Sequence, residues 1–189
     1  QAIQPEAVSL NPEAGRHPIP SDPRELAAAE RAGDACWRMF PYLDRRYGER
    51  GRRFTSSDSA WLVTLAEVDQ QTADQQVVWL GNVIGARGLP RIILECQLRL
   101  LHQELCESVP ARHEMYARLR VASHLLHSRR TALLPDVQFD AIAARFETRT
   151  GPLPDRVPHV GALIVSAVLD ATDEVPSAVE SLTGWLTDP

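Results

Sequence analysis

The segment from Val78 to Leu101 reads as two helices hinged on a tight corner. Val78-Trp79-Leu80-Gly81-Asn82-Val83-Ile84-Gly85 is an apolar run, Gly88-Leu89-Pro90 interrupts it, and Arg91-Ile92-Ile93-Leu94-Glu95-Cys96-Gln97-Leu98-Arg99-Leu100-Leu101 resumes it. Proline fixes φ and has no N–H to donate, so it suits the first turn of a helix and breaks a helix interior. Pro90 therefore opens the second helix, which extends to about Glu107. The same punctuation recurs along the chain. Asp22-Pro23 starts a helix that Pro41 ends or kinks. Pro110 precedes a helix at about 111–133, Pro135 a shorter one holding Val137, Phe139, Ile142 and Phe146, and Pro176 one at 176–186.

Two further helices come from spacing. One holds Trp61, Leu62, Leu65 and Val68 behind the cap cluster Thr55-Ser56-Ser57-Asp58, and breaks near Asp69-Gln70-Gln71. The other runs from about Thr72 to Ala86. Val160 to Leu169 is the longest apolar run and reads as a buried helix, with a buried strand as the other option. Strand alternation is absent over most of the chain, so the expected class is all-α. The expected organisation has three parts. Residues 1–20, with Pro5, Pro12, Pro18 and Pro20, form an extended tail, laid on the body or disordered. Residues 21–150 form one helical bundle. Residues 151–189 supply a proline-rich linker and two short helices packed on it.

Composition bounds the partners. A net charge of −5 argues against a general nucleic-acid binder, and no run is long enough for a membrane span. All 20 basic residues are arginine, which favours fixed bidentate anion contacts. Residues 1–20 lack the layout of a signal peptide. Cys36, Cys96 and Cys106 are odd in number and fit no zinc spacing, so they read as buried thiols of a cytoplasmic protein.

No nucleophile elbow, phosphate loop or paired metal carboxylate appears. Glu95, Glu104 and Glu107 lack the Glu-x-x-His pairs of carboxylate-bridged metal sites, so no metal is expected. His113, His124 and His127 fall on one arc of their helix, opposite the stripe Met115, Leu119, Ala122 and Leu126. That places them on a solvated or interface face. Arg91, Glu95, Arg99 and His102 form the polar strip of an otherwise apolar helix, and the spacing of four between Arg91, Glu95 and Arg99 points to ion pairing along the strip. Gly81 and Gly85 each cost about 1 kcal/mol in a helix relative to alanine. Such a cost suits a face that another helix or a flat ligand approaches closely. Arg45, Arg46, Arg50, Arg52 and Arg53 lie in a glycine-bearing connection, a surface for an anion or an acidic partner and most simply a solvated loop.

Asp74 to Leu101 resembles the region around the proximal haem ligand in the globin domains of bacterial sensor proteins. There a ligand-bearing helix ends in a short turn, commonly Gly-Leu-Pro, and a long apolar helix follows. Gly88-Leu89-Pro90 matches the turn, and Ile84 stands where the histidine would be. An isoleucine cannot bind iron, and family members without haem use the fold for signalling or assembly. The resemblance thus implies a globin-like bundle without cofactor: a non-enzymatic regulatory or protein-interaction module, with a protein partner or a homodimer. Its expected interfaces are the apolar arc of the 90–107 helix and the His/Arg face of the 111–133 helix. A rival alignment matches Leu98-Arg99-Leu100-Leu101-His102 to the Leu-x-x-Leu-His run of oxygen carriers. It implies a haem-binding sensor with His102 axial and Phe54 and Gln76 in the pocket.

Overall fold

The computed structural model describes residues 4–150 and 157–187. These hold eight α-helices: α1 (Pro23–Met39), α2 (Tyr42–Thr64), α3 (Gln70–Gly85), α4 (Arg91–Ser108), α5 (His113–Leu133), α6 (Asp136–Thr150), α7 (Val160–Thr172) and α8 (Ala178–Thr187). No strand occurs among the described residues, and no helix there is long and apolar enough to cross a membrane. Most of the expected linker, residues 151–156, lies outside the described residues.

Local signals set several boundaries. Asp22 caps α1 by accepting from the Arg24 N–H at 2.9 Å, and Asp69 caps α3 by accepting from the Thr72 N–H at 2.9 Å. At the corner Gly88 adopts φ +86°, a conformation that side chains with a Cβ rarely tolerate. The buried Tyr42 hydroxyl pins that corner by donating to the Gly88 carbonyl at 2.6 Å.

α4 is the central element, lying along both α1 and α5. Its Leu98, Leu101 and Leu105 are fully buried, as are Tyr116 and Leu119 of α5. A second apolar cluster joins Cys36, Trp37, Tyr42 and Ile93 to Leu163 of α7 and Leu182 of α8. The C-terminal helices thus dock on the start of α4. α4 needs them there, because its N-terminus follows Pro90, which has no side-chain acceptor for the free N–H groups. Asp170 of α7 accepts from the Arg91 N–H at 2.8 Å, and Ser166 accepts from the Ile92 N–H at 3.4 Å.

Two expectations are corrected. Residues 44–53 are not a connection but the first half of α2, kinked at Gly48, where φ is +50°. Glycines and charges suggest a loop, but buried Tyr42 and Leu43 anchor the segment, and arginine and glutamate are good helix formers. The cluster Thr55 to Asp58 consequently lies mid-helix rather than at a cap. The N-terminal segment is not an extended tail over its described length. It folds back on itself, with Ala7 donating to the His17 carbonyl at 2.8 Å and Ile19 to the Pro5 carbonyl at 3.0 Å. Ala7 and Ile19 pack against Ala60 of α2, which secures the lobe by burial.

Candidate functional sites: an apolar cavity and a groove over a thiol pair

Ile84 stands half-buried on the wall of a cavity of about 80 Å³ between α1, α2, α3 and α4. Leu80, Leu62, Leu94 and Trp37 supply most of the apolar lining, with Asp58, Ser59 and Gln97 as polar members. Gln97 is buried and donates from Nε2 to Ser59 Oγ at 2.9 Å, while its Oε1 is buried without a hydrogen-bond partner. Burial pushes the Asp58 carboxyl up to about 6, against the pull of His17 and Arg87. A haem does not fit these residues. Ile84 offers no donor atom, and 80 Å³ is far below the roughly 300–1,000 Å³ of typical ligand pockets.

The residues of the rival alignment are not brought together here. His102 is half-buried on α4 with Nε2 at 3.5 Å from Cys106 Sγ, and burial together with Arg120 holds its pKa below the ordinary value. Phe54 lies under the Arg50 guanidinium, and Gln76 is exposed on α3. None of the three lines the cavity.

Gly81 and Gly85 mark close approaches by side chains rather than by a helix backbone. A Cβ on Gly81 would stand 3.1 Å from Arg91 Cδ, and one on Gly85 3.3 Å from Val175 Cγ1. The tight backbone crossing is elsewhere: a Cβ on Gly161 of α7 would stand 2.5 Å from the Ala143 carbonyl oxygen of α6.

The polar strip of α4 is also corrected. Arg91 and Glu95 do not pair along the helix but turn to neighbouring elements, while Arg99 and His102 stay on α4, against the sulfurs of Cys96 and Cys106. Arg91 binds Asp170 at 3.0 Å and Asp173 at 3.0 Å. Glu95 takes Arg130 at 3.0 Å and His127 at 2.9 Å from α5. The reason is packing: α4 is covered on both sides, so partners across the interface outcompete those one turn away. The apolar arc of α4 is accordingly inside the bundle and does not serve as an outer interface. On α5, His113 and His124 are exposed as expected, whereas His127 is drawn against Glu95 and Asp136.

The arginine cluster is wired into the fold. Arg50 and Arg53 pair with Glu13 of the N-terminal lobe, at 2.8 and 3.3 Å. Arg52 pairs with Asp44 at 3.0 Å and covers the Trp37 ring. Arg46 is half-buried among the rings of Tyr42, Tyr47 and Trp185 and donates to the Tyr42 hydroxyl. Arg45 is exposed.

A groove of about 390 Å³ runs between α1, α4 and α5, lined by Met39, Phe40, Ile92, Glu95, Cys96, Arg99, Ser123, His124 and His127. Cys96 lies at its base, on the turn of α4 that faces Cys36 of α1, whose Sγ donates to the Ile93 carbonyl at 3.8 Å. Arg99 Nη2 donates to Cys96 Sγ at 3.5 Å, and Met39 Sδ is 3.6 Å from the same sulfur. The Cys36 contact and then Arg99 draw the Cys96 pKa below the ordinary thiol range, although burial and Glu95 oppose them. Its interaction with Cys96 and its deeper burial push the Cys36 thiol up. On sequence grounds these cysteines read only as buried thiols. They are far apart in the chain, so no spacing motif announces them.

Among the described residues no group of three or more His, Cys, Asp or Glu side chains is placed to hold a metal ion. No family model matches the chain, and neither a curated protein nor a solved structure matches it.

Proposed function

We propose that this chain is a non-enzymatic helical regulatory module, globin-like and without haem, that works by pairing with a second copy of itself through the outer face of α6. One observation carries the reading. Of the fifteen residues of α6 only Phe139 and Ala143 are buried, while Val137 is 82% and Ile142 48% exposed. Leu133 at the end of α5 and Val168 of α7 are exposed as well. A three-to-four-turn helix gets most of its stability from the face it buries, and α6 buries little. Its outer row, Val137, Ala141, Ala144 and Thr148, is exposed and uncharged. Two copies can bring that row together without like-charge repulsion, and its alanines allow close approach. The non-enzymatic part is supported by Arg91, Glu95, Arg129 and Arg130 of α4 and α5, which are engaged in ion pairs within the fold.

Light scattering on the full chain, from micromolar to millimolar, tests the reading. The wild type should approach twice the chain mass as concentration rises. The variant Val137→Glu with Ala144→Glu should remain a monomer with an unchanged circular dichroism spectrum. A wild type that stays monomeric across the range overturns the proposal.

A further inference from the structure

We propose that Cys96 and Cys36 form a reversible oxidation site, in which the Cys96 thiolate meets a hydroperoxide and Cys36 resolves the product as an intramolecular disulfide. Three features of the geometry point there. The two thiols lie on facing turns of adjacent helices: Cys36 Sγ donates to the Ile93 carbonyl at 3.8 Å, one turn before Cys96, and Sδ of Met39, one turn after Cys36, is 3.6 Å from Cys96 Sγ. Cys96, not Cys36, lines the groove, so a small oxidant arriving from solvent meets it first. The Arg99 guanidinium donates to its sulfur and stabilises negative charge there. The charged and titratable groups facing that thiolate are Arg99 and Glu95 from α4, His124 and His127 from α5, and Cys36 from α1. Arg99 favours the charge and Glu95 opposes it.

The chemistry balances in two steps. The Cys96 thiolate attacks the distal oxygen of the hydroperoxide. A sulfur–oxygen bond forms, the oxygen–oxygen bond breaks, and the departing alkoxide or hydroxide takes a proton from water. Sulfur is oxidised to a sulfenic acid and the peroxide is reduced to an alcohol or water. Cys36 sulfur then attacks Cys96 sulfur. The sulfur–sulfur bond forms, the sulfur–oxygen bond breaks, and the hydroxyl leaves as water with the Cys36 proton. A dithiol reductant restores both thiols by exchange. The bond would tie α1 to α4 beneath Met39 and Phe40, at the base of the groove.

Cys106 is the internal control. It is on the same helix, closer to the surface, and burial holds its pKa above the ordinary thiol range. The full reduced chain is treated with stoichiometric hydrogen peroxide, followed by intact mass and peptide mapping. The expected result is loss of two hydrogens, a Cys36–Cys96 linked peptide, and full reversal by dithiothreitol. In Cys36→Ser, dimedone should trap a sulfenic acid at Cys96, formed about tenfold faster than any at Cys106, because Arg99 still donates to Cys96 Sγ and the groove still admits the oxidant. In Cys96→Ser neither product should form, and near-ultraviolet circular dichroism checks that the fold is kept. Oxidation at Cys106 first, a link between chains instead of within one, or Cys96 driven to sulfinic acid in the wild type with Cys36 still reduced, each overturns the proposal. The linked peptide is read on wild-type protein, so the test holds whether or not either variant folds.

Discussion

The fold buries a carboxylate at each of two helix junctions and arms them differently. At the α1–α5 junction Glu25, 2% exposed, accepts from the Tyr116 hydroxyl and from Arg112 at 2.5 Å. Arg112 remains about a third exposed and also holds Glu67 at 2.7 Å. At the α4–α7 junction both partners are buried: the side chains of Arg91 and Asp170 are 8% and 6% exposed. Asp170 there also closes the start of α4 by accepting the Arg91 N–H. The first arrangement is a neutral donor plus a cation still in touch with water. The second is a fully desolvated ion pair with a backbone cap added. Desolvation raises what is at stake when one member is removed, so the two junctions should fail by different amounts.

Arg91→Met should therefore be the most damaging single change, costing about 3–5 kcal/mol in urea unfolding. Asp170 would be left either charged out of water or forced to take a proton. Glu25→Leu should cost less, about 1–3 kcal/mol, because it strands the Tyr116 hydroxyl while Arg112 keeps Glu67 and water. Equal losses would show that the α1–α5 junction is as desolvated in solution as the α4–α7 one. Asp170→Asn sharpens the comparison further. The amide oxygen keeps the α4 cap, so this variant should retain more stability than Asp170→Leu, which loses cap and pair together.

The α7 end has a second dependence, on the crossing of α6. Gly161→Ala should cost about 1–3 kcal/mol, because the new methyl meets a backbone carbonyl that cannot turn aside. Gly85→Ala meets only the Val175 side chain, so its packing cost should largely offset the helix-propensity gain and the net change should stay below about 1 kcal/mol. Thermal melts of the two variants decide. A neutral Gly161→Ala would mean that α7 can slide on α6, and the α4–α7 junction would then be less rigid than its burial implies.

These junctions also show what the sequence can and cannot disclose. Proline and aspartate at helix starts, and Gly88 at the corner, are local devices, and the helices they bound are legible to within a few residues. The cap on α4 comes from Asp170, 79 positions away in the chain, and the partner of Glu95 is Arg130, 35 away. No local pattern encodes such contacts. The spacing of Arg91, Glu95 and Arg99 even suggests pairing within the strip, because the rule of four holds on an exposed helix and α4 is covered. The first half of α2 is hidden for a related reason. Its buried residues, Tyr42 and Leu43, stand at one end, and the rest of the segment shows only the charges it presents to the N-terminal lobe. Of the candidate sites, Ile84 stands on a cavity wall, and the polar members of that lining, Gln97 and Asp58, carry no motif. The thiol pair is invisible in the sequence because two cysteines on different helices become a pair only once α1 and α4 pack.

Asp170 and Asp173 share Arg91 and yet titrate in opposite directions, which gives the comparison a pH test. Burial raises Asp170 above 3.8 even though Arg91 pulls it down, whereas the bond from Arg129 lowers Asp173 below 3.8. A raised folded pKa contributes stability that is present below the unfolded value and is lost as pH rises through the folded one. A depressed folded pKa contributes stability present above the unfolded value and lost as pH falls through the folded one. Relative to wild type, the deficit of Asp170→Asn should shrink as pH climbs above 3.8. The deficit of Asp173→Asn should shrink as pH drops below 3.8. Urea melts between about pH 3 and 7 read both slopes. Slopes of the same sign would mean that Arg91 outweighs burial at Asp170, removing the distinction between a desolvated pair and a wet one.

The smallest effect should come from the exposed counterpart of these junctions, Arg50 and Arg53 on Glu13. The geometry resembles that of the buried pairs, with nitrogen to oxygen distances of 2.8 and 3.3 Å, but all three side chains are more than 40% exposed. Water already solvates each charge, so little is gained by pairing and little is stranded by breaking it. Arg50→Gln with Arg53→Gln should leave the melting temperature essentially unchanged at physiological salt. Any small loss at low ionic strength should vanish as salt is added. The lobe should stay docked, because Ala7 and Ile19 against Ala60 secure it without charge. Proteolysis of residues 4–20 is the sensitive readout. Accelerated cleavage in the double variant, persisting at high salt, would show that these arginines hold the lobe by packing their stems on it rather than by charge. The contrast between buried and exposed pairs would then rest on apolar contact as much as on desolvation.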